Sequence, residues 1–292
     1  MKPPWKMDMD ILHGDFFVKT EDGTMFWNAK NGRIGIGDTD LSYVTFGKGK
    51  TALIMIPGLG DGLTTVEGMA NIMALTYRMY ARDYKVYMFS RKNHLEEGYS
   101  TRDMAKDQAE AMRKLGISKA MVLGVSQGGM VAQYLAIDHP ELVEKLVLTV
   151  TLSKQNDAVK DVIDRWMGFA EQNDYKSIMI DTAEKSYSEK YLKKYRPFYF
   201  ILGKAGKPKS FDRFLIQANA CIGHDAYGEL EKIACPTLVI GGDDDKIVTG
   251  EASIEIAEKI PGSELFMYEG LGHGLYEEAK DFHKRVQSFL SE

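Results

Sequence analysis

Cysteine is nearly absent from this 292-residue chain, proline is sparse, and no apolar run approaches the length of a membrane span. Two cysteines, Cys221 and Cys235, exclude a disulfide framework and a cysteine-rich metal fold. Both are read as free thiols, with a single Cys221–Cys235 bridge as the alternative. The longest apolar stretches, such as 53–56, fall far short of the about 20 residues a membrane helix needs. Residues 1–10 carry two prolines and two aspartates and no apolar core, unlike a secretory leader, so a cytoplasmic location is expected. No dense Lys/Arg stripe stands out, and the net charge is −5. Nucleic acid and an anionic membrane surface are therefore not expected as the main partners. No internal repeat or low-complexity tract is visible.

What is there is ordinary for a globular core: 44% hydrophobic and 27% charged residues. Residues 1–50 read as β-rich, with candidate strands at 16–18, 24–27 and 43–46 and turn signals at Glu21-Asp22-Gly23, Asn31-Gly32 and Gly47-Lys48-Gly49. From residue 52 short apolar runs alternate with helical periodicity. Strands are predicted at 52–56, 86–89, 120–123, 146–148, 237–240 and 264–268, and helices at about 63–77, 101–115, 130–137, 251–259 and 276–290. That alternation defines an α/β chain: a mainly parallel central sheet flanked by helices. Residues 151–233 break the rhythm and read as helices at 159–170, 175–186 and 211–220, with 204–209 as a flexible loop. The expected organisation is a core of 1–150 and 234–292, its first 40 residues a β-rich extension, with 151–233 as a helical cap or lid insertion.

The chemistry centres on Gly124-Val125-Ser126-Gln127-Gly128, directly after one predicted strand and opening a helix. A serine on so tight a turn is forced into an unfavourable backbone conformation that lifts its hydroxyl above the sheet, and only small neighbours fit beside it. Gln127 then offers a backbone N–H at a helix N-terminus, suited to a developing oxyanion. No Gly-Lys-Ser/Thr accompanies the glycines, which speaks against a phosphate loop. Serine needs a base, and the base an orienting acid. Of six histidines, His273 lies in the glycine-dense loop 269–274 after the last predicted strand, at the sheet edge where Ser126 also sits. His139 and His283 read as structural; His94 and His224 are candidates for lining a pocket. Asp243, Asp244 and Asp245 follow the 237–240 strand, placing an acid between serine and histidine in chain order. A metal held by this acidic run with His273 lacks a second histidine at ligand spacing. The loop Pro57-Gly58-Leu59-Gly60-Asp61-Gly62 can bring backbone N–H groups close to a substrate.

Together these segments resemble the α/β-hydrolase superfamily over about 43–292, the insertion's detail apart. The resemblance rests on 57–62, 124–129, 236–248 and 270–274. It implies the α/β-hydrolase fold, a Ser126–His273–Asp245 triad, and an oxyanion hole built from the N–H groups of Leu59 and Gln127. Asp245 is preferred over Asp243 and Asp244 because it stands three residues after Gly242 and just before Ile247-Val248. Pro57 stands where many relatives carry histidine, and Thr249 where proline is common. The Asp-x-x-Gly-x-Gly-x-Ser segment of many relatives is here 90–100, with only Gly98 and Ser100 retained. The implied activity is hydrolysis of a carboxylic ester, lactone or thioester of a small, partly apolar molecule, without cofactor or metal. C–C bond hydrolysis, peptide cleavage, acyl transfer and perhydrolysis would use the same residues; a ligand receptor of this fold is the non-enzymatic alternative. Haloalkane dehalogenation would need a carboxylate at position 126. Trp166 and neighbouring aromatics either roof the pocket or form the insertion's own core. A monomer or homodimer is expected.

Overall fold

The computed structural model describes residues 26–203 and 206–292. Eight strands among the described residues form one sheet: β1 (Lys30–Ile36), β2 (Thr39–Phe46), β3 (Thr51–Ile56), β4 (Tyr84–Lys92), β5 (Ala120–Val125), β6 (Val143–Thr149), β7 (Thr237–Gly242) and β8 (Glu264–Tyr268). Their order is β1-β2-β4-β3-β5-β6-β7-β8. The β1–β2 and β2–β4 pairs are antiparallel, and every pair from β4–β3 to β7–β8 is parallel. The expected mainly parallel α/β sheet is what forms.

Both faces of the sheet are covered, and strand alternation sorts the apolar residues between them. Ile54, Ile56, Val122, Leu146, Leu148 and Val239 share one core with α2 (Thr101–Lys114), α3 (Gln127–Asp138) and α8 (Gly250–Lys259). Their neighbours Leu53, Met55, Met121, Leu123, Val147 and Leu238 meet α1 (Ala70–Thr76) and α10 (Phe282–Ser291) on the other face. Between β6 and β7 come α4 (Asp157–Glu171), α5 (Tyr175–Ser186), α6 (Glu189–Tyr195) and α7 (Asp212–Ile222). A third core joins α4, α5 and α7 to Leu59, Met130, Ile247 and Val248, so these helices rest on the loops at the carboxyl edge of the sheet. No described helix is long and apolar enough to cross a membrane.

Several sequence expectations need correction. Asn31-Gly32 is not a turn but the middle of β1, where Gly32 pairs with Tyr43. The Tyr43 ring lies over the glycine, so close that a Cβ there would stand 2.3 Å from it; the aromatic fills the space the glycine leaves. The hairpin turns instead at Gly37-Asp38, with Gly37 at φ 59°. Of the strand expected at 24–27, residues 24–25 lie outside the described residues and 26–27 belong to a 3₁₀ turn, Phe26–Asn28, with Trp27 at φ 55°; the one expected at 16–18 lies outside them altogether. The helix expected from 63 starts only at Ala70, after Gly68 at φ 77°. The C-terminal helix is two, α9 (Leu275–Glu278) and α10, separated where Ala279 turns extended. Helix α6 was not expected; Ser188 caps it, and it buries Leu192 and Tyr195.

Candidate active site

Ser126 is the single residue between the end of β5 and the start of α3, at φ 55° and ψ −123°. A non-glycine residue there carries strain of about 1–3 kcal/mol, held only because its surroundings permit no other path. Its N–H donates to Thr149 O at 2.9 Å, and Thr151 Oγ1 donates to its carbonyl at 2.8 Å. A Cβ on Gly128 would lie 1.9 Å from Ile56 O, and one on Gly124 2.5 Å from Gly128 O. The flanking glycines are thus imposed by backbone crossing backbone.

His273 follows β8 in a loop pressed between Asp244 and the end of α5, where Gly274 N–H donates to Ser186 O at 2.7 Å. Its Nε2 stands 2.9 Å from Ser126 Oγ and its Nδ1 2.8 Å from Asp245 Oδ2. A carboxylate only accepts, so Nδ1 carries the proton and Nε2 is left to accept from the serine hydroxyl. The other Asp245 oxygen accepts from Ile247 N at 2.8 Å and Val248 N at 3.1 Å. Burial works to raise the Asp245 carboxyl, but the His273 imidazole and these two amides hold it below its ordinary value. Asp243 and Asp244 are exposed and engaged elsewhere: Asp243 accepts from Gly270 N at 2.7 Å, and Asp244 faces Lys246 at 3.4 Å.

The loop after β3 forms a 3₁₀ turn, Leu59–Gly62, and runs directly past the serine: a Cβ on Gly58 would stand 3.3 Å from Ser126 Cβ. Leu59 opens that turn and Gln127 opens α3, and the first N–H groups of a helical turn have no partner within it. Ser126, His273 and Asp245 are therefore brought together, with the Leu59 segment alongside.

The three pocket candidates are not drawn into this group. His94 is exposed, and its backbone N–H donates to Thr39 Oγ1 at 3.3 Å, at the β1–β2 hairpin. His224 is buried against the Tyr134 ring with Nδ1 2.9 Å from Thr101 Oγ1. Burial pushes it down to about 3, so it is a neutral packing residue rather than a proton carrier. Trp166 is buried in the core of the insertion, donating Nε1–H to Asp181 at 2.8 Å. Beneath the site lies a group that sequence reasoning passed over: Arg91, Asp61, Arg213 and Gln217, linked to Gln127. Its one signal was a pair of cations, Arg91-Lys92, shortly after the apolar run 86–89 of β4.

The alpha/beta hydrolase fold family matches residues 51–280, and the chain belongs to that family. It is 25% identical over 277 residues to a 2-hydroxy-6-oxononadienedioate/2-hydroxy-6-oxononatrienedioate hydrolase of Pseudomonas sp., covering 89% of this chain and 93% of that one. It is likewise 25% identical to mouse serine hydrolase BPHL, covering 92% of this chain and 88% of that one. Among solved structures it is similar to MGS-M2, an alpha/beta hydrolase enzyme from a Medee basin deep-sea metagenome library, at a TM-score of 0.78 and 19% identity, covering 89% of this chain and 98% of that one. The curated relatives are hydrolases.

Proposed function

We propose that this protein is a serine hydrolase that cleaves a carboxylic ester, or a lactone or thioester, of a small, partly apolar substrate. The observation that carries this reading is the continuous hydrogen-bonded line from a strained Ser126 through His273 to a buried Asp245. His273 Nε2 takes the hydroxyl proton as Ser126 Oγ attacks the carbonyl. Asp245 keeps Nδ1 protonated and stabilises the imidazolium. The Leu59 and Gln127 N–H groups receive the oxyanion, where one such donor is worth about 3–4 kcal/mol. His273 then protonates the leaving group, and water, deprotonated by the same nitrogen, releases the acid from the acyl-enzyme. Residues 151–233 act as a cap over this site, a role supported by the core they share with Leu59, Ile247 and Val248.

The test is hydrolysis of p-nitrophenyl acetate and butyrate together with labelling by a fluorophosphonate. Wild type is expected to do both and Ser126→Ala neither. Labelling without turnover of either ester would favour the receptor reading, or a narrower substrate range. Folded wild type that neither labels nor turns over would remove Ser126 as an activated nucleophile.

A further inference from the structure

Arg91 is the largest fully buried side chain among the described residues, at 0% exposure near the end of β4. A buried cation loses its hydration, and an apolar side chain of similar volume is often as stable or more so. The nearby Asp61 carboxylate favours the charge, but burial outweighs it. Only Nη2 is used, donating to Pro57 O at 2.7 Å and to Gln127 Oε1 at 2.9 Å, while Nε and Nη1 find no acceptor among the described residues. Stability alone does not account for a guanidinium so placed.

Its two acceptors are what set it apart. Pro57 leads into Leu59, and Gln127 follows Ser126, so one nitrogen spans the two segments whose N–H groups face the reacting carbonyl in the mechanism above. The Gln127 amide is held from its other end too, Nε2 donating to Gln217 O at 2.8 Å and lying 3.1 Å from Cys221 Sγ on α7. Asp61 anchors the arginine in turn: its Oδ2 accepts from Arg91 N at 3.0 Å and from Arg213 Nη2 at 2.7 Å. Arg213 also donates to Arg91 O at 2.8 Å. We propose that Arg91 is a positioning residue that fixes the separation of the Leu59 and Gln127 N–H groups, with α7 of the insertion clamping the same network from outside. The proposal rests on the serine-hydrolase reading. A hole for an oxyanion tolerates displacements of only about 0.5 Å, so a loosened tie appears in the transition state before it appears in substrate binding.

The variants are Arg91→Met, which keeps the stem and removes the donors, and Arg91→Lys, whose ammonium can donate to both oxygens. Gln127→Met cuts the same tie from the other side without touching a charge, so the experiment survives if Arg91→Met fails to fold. With p-nitrophenyl butyrate, Arg91→Met and Gln127→Met are each expected to lower kcat about 10–100-fold, short of the about 10²–10³-fold cost of deleting an oxyanion donor. KM should change less than about 3-fold, and the double variant should lose no more than the worse single one. Arg91→Lys is expected to recover most of the rate. Unchanged kcat in folded Arg91→Met or Gln127→Met would overturn the proposal. So would losses that multiply in the double variant, or a loss that Lys does not rescue and that tracks a lowered melting temperature. Wild type that fails to label with fluorophosphonate would overturn the serine reading itself, an outcome visible before any variant is made.

Discussion

At the scale of single residues, the glycines flanking Ser126 are held by the backbone that crosses them. Gly128→Ala would drive a methyl into Ile56 O at 1.9 Å, an obstacle of backbone that cannot rotate away. Overpacking a well-packed core costs about 1–3 kcal/mol. The variant is therefore expected to lose at least that much in urea denaturation, and its Ser126 labelling with it. Gly168, inside α4, has nothing within 4 Å of an added Cβ. Gly168→Ala is expected to stabilise by about 0.5–1 kcal/mol in the same measurement, the ordinary helix preference of alanine. Equal effects at the two positions would show that the crossing at Ile56 is not tight. Asp245→Asn addresses chemistry instead. An amide that donates to Nδ1 would select the wrong imidazole tautomer, so turnover is expected to fall about 10³–10⁴-fold in protein that still folds.

At the scale of elements, the segment 90–100 shows what its retained residues do. Gly98 sits at φ 80°, and Ser100 caps α2: its Oγ accepts from Asp103 N at 3.1 Å while Asp103 Oδ2 accepts from Ser100 N at 3.0 Å. This is a capping box, so Ser100→Ala is expected to cost about 1 kcal/mol in chemical denaturation without altering KM. Much of the architecture was legible in this way. Strands β3 and β5–β8 are apolar runs closed by turn residues, and α2 announces itself by its amphipathic period. What was not legible depends on partners distant in sequence. Strand β1 is largely exposed and glycine-rich, and it is pairing with β2, with Gly32 opposite Tyr43, that holds Asn31-Gly32 extended. The break between α9 and α10 falls in a stretch whose apolar period runs on unbroken. Ser126 and His273 could be named from glycine context and chain order, whereas the choice of Asp245 over Asp243 and Asp244 rested on the resemblance to the family. Arg91 could not, because a cation at a strand end is indistinguishable from a solvated one until Pro57, Gln127 and α7 close over it.

At the scale of the whole molecule, the insertion is fastened to the core next to His273, and the fastening contains a titrating group. Ser188, between α5 and α6, donates N–H and Oγ–H to Glu278 at 2.8 and 2.6 Å, and Tyr187 Oη donates to Glu277 at 2.7 Å. Desolvation pushes Glu277 up to about 7, against the hydrogen bond from Tyr187 and with help from the neighbouring charge of Glu278. Between about 4.5 and 7 the folded chain thus holds a proton that the unfolded chain has released. The associated stability is complete below about 4.5 and is lost as pH rises through about 7. His224 and His283, pushed down by burial to about 3 and about 4, slope the other way, losing stability as pH falls below the ordinary histidine range. The raw curve of the wild type mixes the two, so the informative quantity is the difference from Glu277→Gln, which keeps an acceptor for Tyr187 and cannot ionise. That difference is expected to favour the variant progressively from pH 5 to pH 8, by at most about 3 kcal/mol. A difference independent of pH across this window would mean that Glu277 is already ionised when folded. If this tie also governs the cap proposed for residues 151–233, kcat/KM of Glu277→Gln will lose whatever part of its pH dependence the wild type owes to this carboxyl.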